Sequence, residues 1–283
     1  MSRFESYVAI DWSGAKGRRH KGIAIAEARG SAAPRLVRPG HVWSREEVLR
    51  WLIKRAAREA TLFGFDFSFA PPIIERGEYL PGEPGVPATA RAFWAYVERM
   101  SRDEDLGAAS FLEQAHRRHF YFGIADGVKA GFMHFRQCDQ QLNRQGGRKT
   151  ASAYDAIGAA QVAKASFAGM RMLHHVRGAV PVWPFDPAPE RGSLVVEIYT
   201  SIAARAAGRP RGRTKMRDLG ALNDALFALG SAPHEGLPPD DHGADAIVTA
   251  AWLRNAAPRP SLWTPRPLNR RIAATEGWTF GVI

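Results

Sequence analysis

The sequence predicts an α/β protein: a mixed five-stranded sheet flanked by helices, with a helical insertion between the fourth and fifth strands. Three observations lead there. Two apolar runs, VAIDWSGA (8–15) and FGFDFSFA (63–70), both end in Asp, an aromatic residue and Ser. Between them lie two further strand-like runs and one amphipathic run, the pattern of a meander followed by a crossover helix. Far downstream, SLVVEIY (193–199) is a third strongly apolar run, and two helix-like stretches follow it.

Taken in order, residues 7–11 read as a buried strand and 13–21 as a Gly- and charge-rich turn. GIAIAEA (22–28) alternates like a second strand, and 35–43 is a third, broken by Pro39 and Gly40. Ser44 suits an N-cap, with Glu47 at the capping-box position, and Val48, Leu49, Leu52, Ile53 and Ala56 line one face of a helix that ends near Glu59. The next strand, 61–68, follows that helix, so right-handed crossover places it parallel to the first. Residues 70–85 are Pro-rich and irregular. Helices are predicted over 89–100, 110–118 and 151–174, and the whole of 71–192 reads as an inserted, mainly helical subdomain, because so long a structureless loop would be unusual. The core then comprises 1–70 and 193–283. Within its second part, 193–199 is the fifth strand, 214–229 and 241–255 are helices, and the tail GWTFGVI (277–283) adds a short strand. Three strands, helix, strand, insertion, strand, helix, helix is the order of a ribonuclease H-like fold.

That order explains the twin strand endings. A carboxylate at the end of a buried strand is costly unless something pairs with it. With the first and fourth strands adjacent and parallel, Asp11 and Asp66 meet at their carboxyl ends, where open α/β sheets place their sites. Glu197, in an apolar strand, and Asp245, one turn beyond Asp241 on the last helix, are expected to join them. Converging carboxylates repel and raise one another's pKa; a divalent cation resolves the conflict. Hard oxygen donors favour Mg2+ or Mn2+, and a pair of ions could clamp a phosphodiester. The predicted catalytic set is therefore Asp11, Asp66, Glu197 and Asp245, with Asp241 added among the metal ligands. Each acid also has a plainer role open to it. Asp11 and Asp66 could bond their own turns, Glu197 could pair with an Arg such as Arg205, and Asp241 could cap its helix.

The chain of 283 residues carries 39 Lys and Arg against 28 Asp and Glu, a formal charge of +11. Such a surface attracts polyanions: nucleic acid, nucleotides or an anionic membrane. The candidate nucleic-acid contacts are Lys16, Arg18 and Arg19 in the turn after the first strand, Arg148 and Lys149 in NRQGGRK (143–149), and Arg211, Arg213 and Lys215 in RPRGRTK (209–215). None matches a Walker spacing. Hydrophobic content of 45% and no long apolar run predict a folded protein without a membrane span. Cys138 is the only cysteine, which excludes an internal disulfide and suits a reducing, cytoplasmic setting. His116 and His119 have helical spacing, His174 and His175 read as structural, and His242 lies beside the acidic pair Asp241 and Asp245.

VAIDWSGA, FGFDFSFAPP, SAYDAIGAAQVAKASFAGMRML, PFDP, VVEIYTS, DHGADAIVTAAWL and EGWTFGV occur in this order through most of the chain. In these stretches the sequence resembles the domain of unknown function 429 family, predicted nucleases of the ribonuclease H-like superfamily. The resemblance implies that fold and a Mg2+-dependent nuclease activity. Asp11 would match the superfamily's first-strand acid, Asp66 its fourth-strand acid, Asp245 its last-helix acid and Glu197 the family's own strand motif. No first-helix counterpart distinguishes itself among Glu46, Glu47 and Glu59, so a structure-specific or resolvase-like nuclease fits as well as a ribonuclease H. A nucleotide-binding phosphotransferase or a non-catalytic binding protein on the same fold are the alternatives.

Overall fold

The computed structural model describes residues 3–146, 150–158, 161–210, 215–216 and 218–283. Five strands, β1 (Ser6–Asp11), β2 (Ala24–Ala28), β3 (Arg35–Leu36), β4 (Thr61–Asp66) and β5 (Leu194–Glu197), form one mixed sheet in the order β3-β2-β1-β4-β5. β2 runs antiparallel to both β1 and β3, whereas β4 is parallel to β1 and β5 is parallel to β4. Helix α1 (Arg45–Ala56) makes the crossover from the meander to β4, and its N-cap is the expected Ser44, which accepts from the Glu47 amide. Central position explains composition: every residue of β1 and β4 is buried except the terminal aspartates.

Side-chain alternation sorts the strands onto two cores. Val8, Ile10, Trp12, Phe63, Phe65, Phe67 and Val195 face one side, with Val48 and Leu52 of α1 and a group of aromatics from the long β4–β5 connection, among them Phe93, Phe111 and Phe167. That connection contains α2 (Ala90–Met100), α3 (Gln137–Arg144) and α4 (Val162–Val176). Tyr7, Ala9, Leu62, Leu194 and Val196 face the other side, under α7 (Asp241–Ala256). Each fully buried Phe contributes about 1.5–3 kcal/mol. Gly64 lets α7 approach: a Cβ there would lie 2.7 Å from Ile198 Cγ2 and 2.9 Å from Leu253 Cδ1.

Several elements differ from expectation. The third strand shrinks to two residues because Arg38 and Gly40 take positive φ angles of 53° and 77° around Pro39, leaving Trp43 a lone bridge to His20. The helix expected over 110–118 is a π turn at Phe111–Ala115 and a 3-10 turn at Arg117–His119. The helix expected from 151 begins only at Val162; Gly158 and Gln161 take φ of 84° and 38°, which a helix cannot accommodate. A short helix unanticipated from sequence, α5 (Thr200–Ala206), follows β5, and α6 (Leu219–Ala228) is capped by Asp218. The final helical turn of the chain is α8 (Arg270–Thr275). The tail forms one parallel bridge, Thr279 to Glu197, in place of a strand, yet Trp278, Phe280 and Val282 are fully buried.

Candidate functional site

The carboxyl ends of β1 and β4 are in register, Asp11 opposite Asp66. The alternation that buries Trp12 and Phe67 on one face turns both aspartates to the other, toward the start of α7. In the second core, Ala244, Ile247 and Val248 of α7 pack with Ala9, which brings Asp245 to the same place. Desolvation on the cleft floor, then the charge of Asp11, push the Asp66 carboxyl well above the usual carboxylate range; Asp245 and Glu197 add to this, and a hydrogen bond from Thr200 opposes it. Asp245 is raised as well, by desolvation first, with Lys215 pulling against it and Asp11 and Asp241 pushing further.

Two basic side chains face this negative charge. Lys215 Nζ stands 3.0 Å from Asp245 Oδ2 and 3.5 Å from Asp241 Oδ2. Its own burial disfavours the ammonium, but Asp245, Asp241 and Asp11 outweigh that and raise its pKa. His242 Nδ1 lies 2.6 Å from Asp11 Oδ2, and that hydrogen bond, against desolvation, raises the imidazole pKa. Lys215, expected among the phosphate contacts, thus belongs to the acidic cluster. Asp241 is 55% exposed at the rim, and the helix cap is its neighbour Asp240, which accepts from the Gly243 amide.

Glu197 departs from the expected set. It pairs with Phe65 across the β4–β5 ladder, so it shares the Phe65 face of the sheet and not the Asp66 face. Arg136 grips it with both terminal nitrogens at 2.6 Å, the Phe69 amide donates at 2.8 Å, and the Thr279 hydroxyl donates as well. Only 2% of the residue is exposed. Its oxygens are committed to a buried ion pair, whose partner is Arg136 rather than Arg205, and it forms a wall of the site instead of an open ligand. Cys138 beside Arg136 is buried, and burial pushes its thiol up, away from reactivity.

The turn after β1 is held firmly. The fully buried Arg45 donates to the carbonyls of Ser13 (2.9 Å), Ala15 (2.6 Å) and Asp105 (3.0 Å). Gly14 lies directly on the first turn of α4, where a Cβ would come within 2.1 Å of the Ala165 nitrogen. Neither Arg45 nor Thr200 was read from sequence as part of the site; an Arg at the first position of a helix and a Thr just beyond a strand carry no local mark of their long-range partners. Three exposed cations of the turn are paired with acids from elsewhere: Lys16 with Glu113 and Arg19 with Glu47, each at 2.6 Å, and Arg18 with Glu104. Such pairs at the surface are weak and exchangeable. Arg148, Lys149, Arg211 and Arg213 lie outside the described residues.

Asp11, Asp66, Asp245, Lys215 and His242 line one cleft of about 560 Å3, with Ser13, Ser68 and Thr200 adding hydroxyls. Among the described residues, no group of three or more His, Cys, Asp or Glu side chains is arranged as a metal cage; Asp11 is turned to His242 and Asp245 to Lys215. The donor chemistry nevertheless suits a hard dication: three carboxylates, two of them with raised pKa values, face two basic side chains, Lys215 and His242. No helix of the described residues is long and apolar enough to cross a membrane. Comparison with protein-family models, curated proteins and solved structures found no match.

Proposed function

We propose that the protein is a metal-dependent hydrolase of phosphodiester bonds in nucleic acid, on a ribonuclease H-like fold as in the domain of unknown function 429 family. The supporting observation is the register pairing of Asp11 with Asp66, joined by Asp245, with Lys215 and His242 facing these acids among the described residues. A sheet order with the first strand central agrees with that fold. The excess of basic residues over acidic ones suits a polyanionic substrate.

Asp11, Asp66 and Asp245 would hold Mg2+ or Mn2+. The bound ion supplies charge neutralisation at the phosphate and a water acidic enough to attack it. Lys215 keeps positive charge beside the cluster and faces the phosphate oxygens once the acids release it. His242, whose imidazole pKa is raised by its hydrogen bond to Asp11, would supply a proton to a departing alkoxide. Glu197 and Arg136 hold a wall of the cleft in shape, and Arg45 holds the turn after β1.

The test is Mg2+-dependent cleavage of labelled oligonucleotides by the wild type and by Asp11→Asn. Cleavage should fall at least about 100-fold in the variant, the scale of losing one strong electrostatic element of a site, while the melting temperature holds or rises. Equal cleavage by the variant removes Asp11 from the mechanism, and no cleavage by the wild type removes the activity.

A further inference from the structure

Among the described residues, five acids line the cleft: Asp11, Asp66, Asp139, Glu197 and Asp245. They fall into two groups. Asp139 and Glu197 share one guanidinium. Arg136 donates from Nε and Nη2 to Asp139 at 3.0 and 3.1 Å, and from both terminal nitrogens to Glu197 at 2.6 Å. Arg136 and Glu197 are each only 2% exposed. Asp11, Asp66 and Asp245 make up the other group, in which Asp11 faces His242 and Asp245 faces Lys215.

The two groups differ in how readily they can take up a metal ion. Freeing Glu197 means parting a buried ion pair, which leaves a guanidinium without its counter-charge and is strongly unfavourable. The oxygens of Glu197 also accept from the Phe69 amide and the Thr279 hydroxyl. Asp245 and Asp11 have partners of another kind. The Lys215 side chain is 45% exposed and the His242 side chain 48%, so both can turn into water and release their acids. Asp241 stands at the exposed rim and does not line the cleft.

We infer that in the free protein the side chains hold one dication, at Asp11, Asp66 and Asp245, and that the Arg136 guanidinium fills the place of a second. This rests on the hydrolase reading above and departs from the paired ions that four converging acids would hold. The two ions of a clamp stand about 3.5–4 Å apart and repel each other, so each needs carboxylate charge of its own. With Asp139 and Glu197 withdrawn, the three acids that remain are matched in charge by one dication and the Lys215 ammonium. A second dication would leave two positive charges unanswered, beside a guanidinium that cannot give up its proton.

Counting Mn2+ decides the matter, by titration calorimetry and by the paramagnetic resonance spectrum of the bound ion, without nucleic acid. One ion should bind per chain and give the spectrum of an isolated ion; a pair about 3.5–4 Å apart would couple and broaden it. Asp66→Asn should weaken binding at least about tenfold, the loss of a ligand, whereas Glu197→Gln and Asp139→Asn should stay within about threefold of the wild type. Melting curves check that each variant folds, and if Glu197→Gln does not, Asp139→Asn and the ion count carry the test. Two coupled ions per chain overturn the inference and leave the hydrolase reading standing, as does a loss of about tenfold in a folded Glu197→Gln or Asp139→Asn. Unaltered binding in Asp66→Asn overturns the placement of the ion. No Mn2+ binding at millimolar ion overturns the inference and the metal-dependent reading together.

Discussion

Lys215 and His242 hold the place a dication would neutralise, and their energetics can be measured. Removing the ammonium with Lys215→Met takes away a tethered competitor. Mg2+ should then bind about tenfold more tightly, equivalent to about 1.4 kcal/mol, as read by titration calorimetry; weaker binding would make Lys215 a supporter of the ion and not its rival. Asp66 gives a pH signature. Its folded pKa is raised, so the stability it contributes is complete below its ordinary carboxylate pKa and is lost as pH rises toward and through the raised value. Without divalent ions, Asp66→Asn should therefore gain melting temperature over the wild type increasingly as pH climbs from about 4, and the gain should shrink when Mg2+ is added. A gain independent of pH would show that Asp66 is not the strained carboxyl of the pair. The raised His242 pKa has the same sign of dependence, which is why the comparison is with Asp66→Asn at each pH.

At the scale of elements, β1 and β4 deliver the acids and the long connection supplies the walls. One link between that connection and the sheet is the buried pair of Arg136, which lies just before α3, with Glu197 on β5. Arg136→Met leaves a buried carboxylate without its counter-charge and should cost about 3–5 kcal/mol in urea unfolding. The double variant Arg136→Met with Glu197→Leu should recover much of that loss, since two apolar residues leave no uncompensated charge; no recovery would mean that the remaining contacts of the network carry the stability. These elements also show what the sequence made legible. The central strands, the crossover helix, α2 and α7 were readable because each has its own period, cap or apolar run. The truncated β3 and the late start of α4 were not, because a few residues with positive φ override the average pattern around them. Asp11 and Asp66 could be paired from sequence because adjacent parallel strands that end alike must meet. Glu197 could not be placed, since the face it occupies depends on a register that slips by one residue without changing the apolar run.

Across the whole molecule, charge and cleft act together. The exposed cations after β1 are tied to Glu113, Glu104 and Glu47 only through surface pairs, which salt and phosphates compete for readily. Nucleic-acid affinity should accordingly fall with a log–log salt slope of about −2 or steeper, about 0.7 to 0.9 for each phosphate engaged. A slope near zero would indicate that the cleft alone holds the ligand and that the basic surface serves another purpose.

The sequence by itself determined the α/β class, the central strands and the convergence of Asp11, Asp66 and Asp245, because these follow from local periodicity and from the handedness of a crossover. Only the tertiary structure decided that Glu197 belongs to Arg136 and that Lys215 sits among the acids. Those outcomes depend on which side chains meet across the long connection, and long-range electrostatic pairing leaves no periodic trace in the chain.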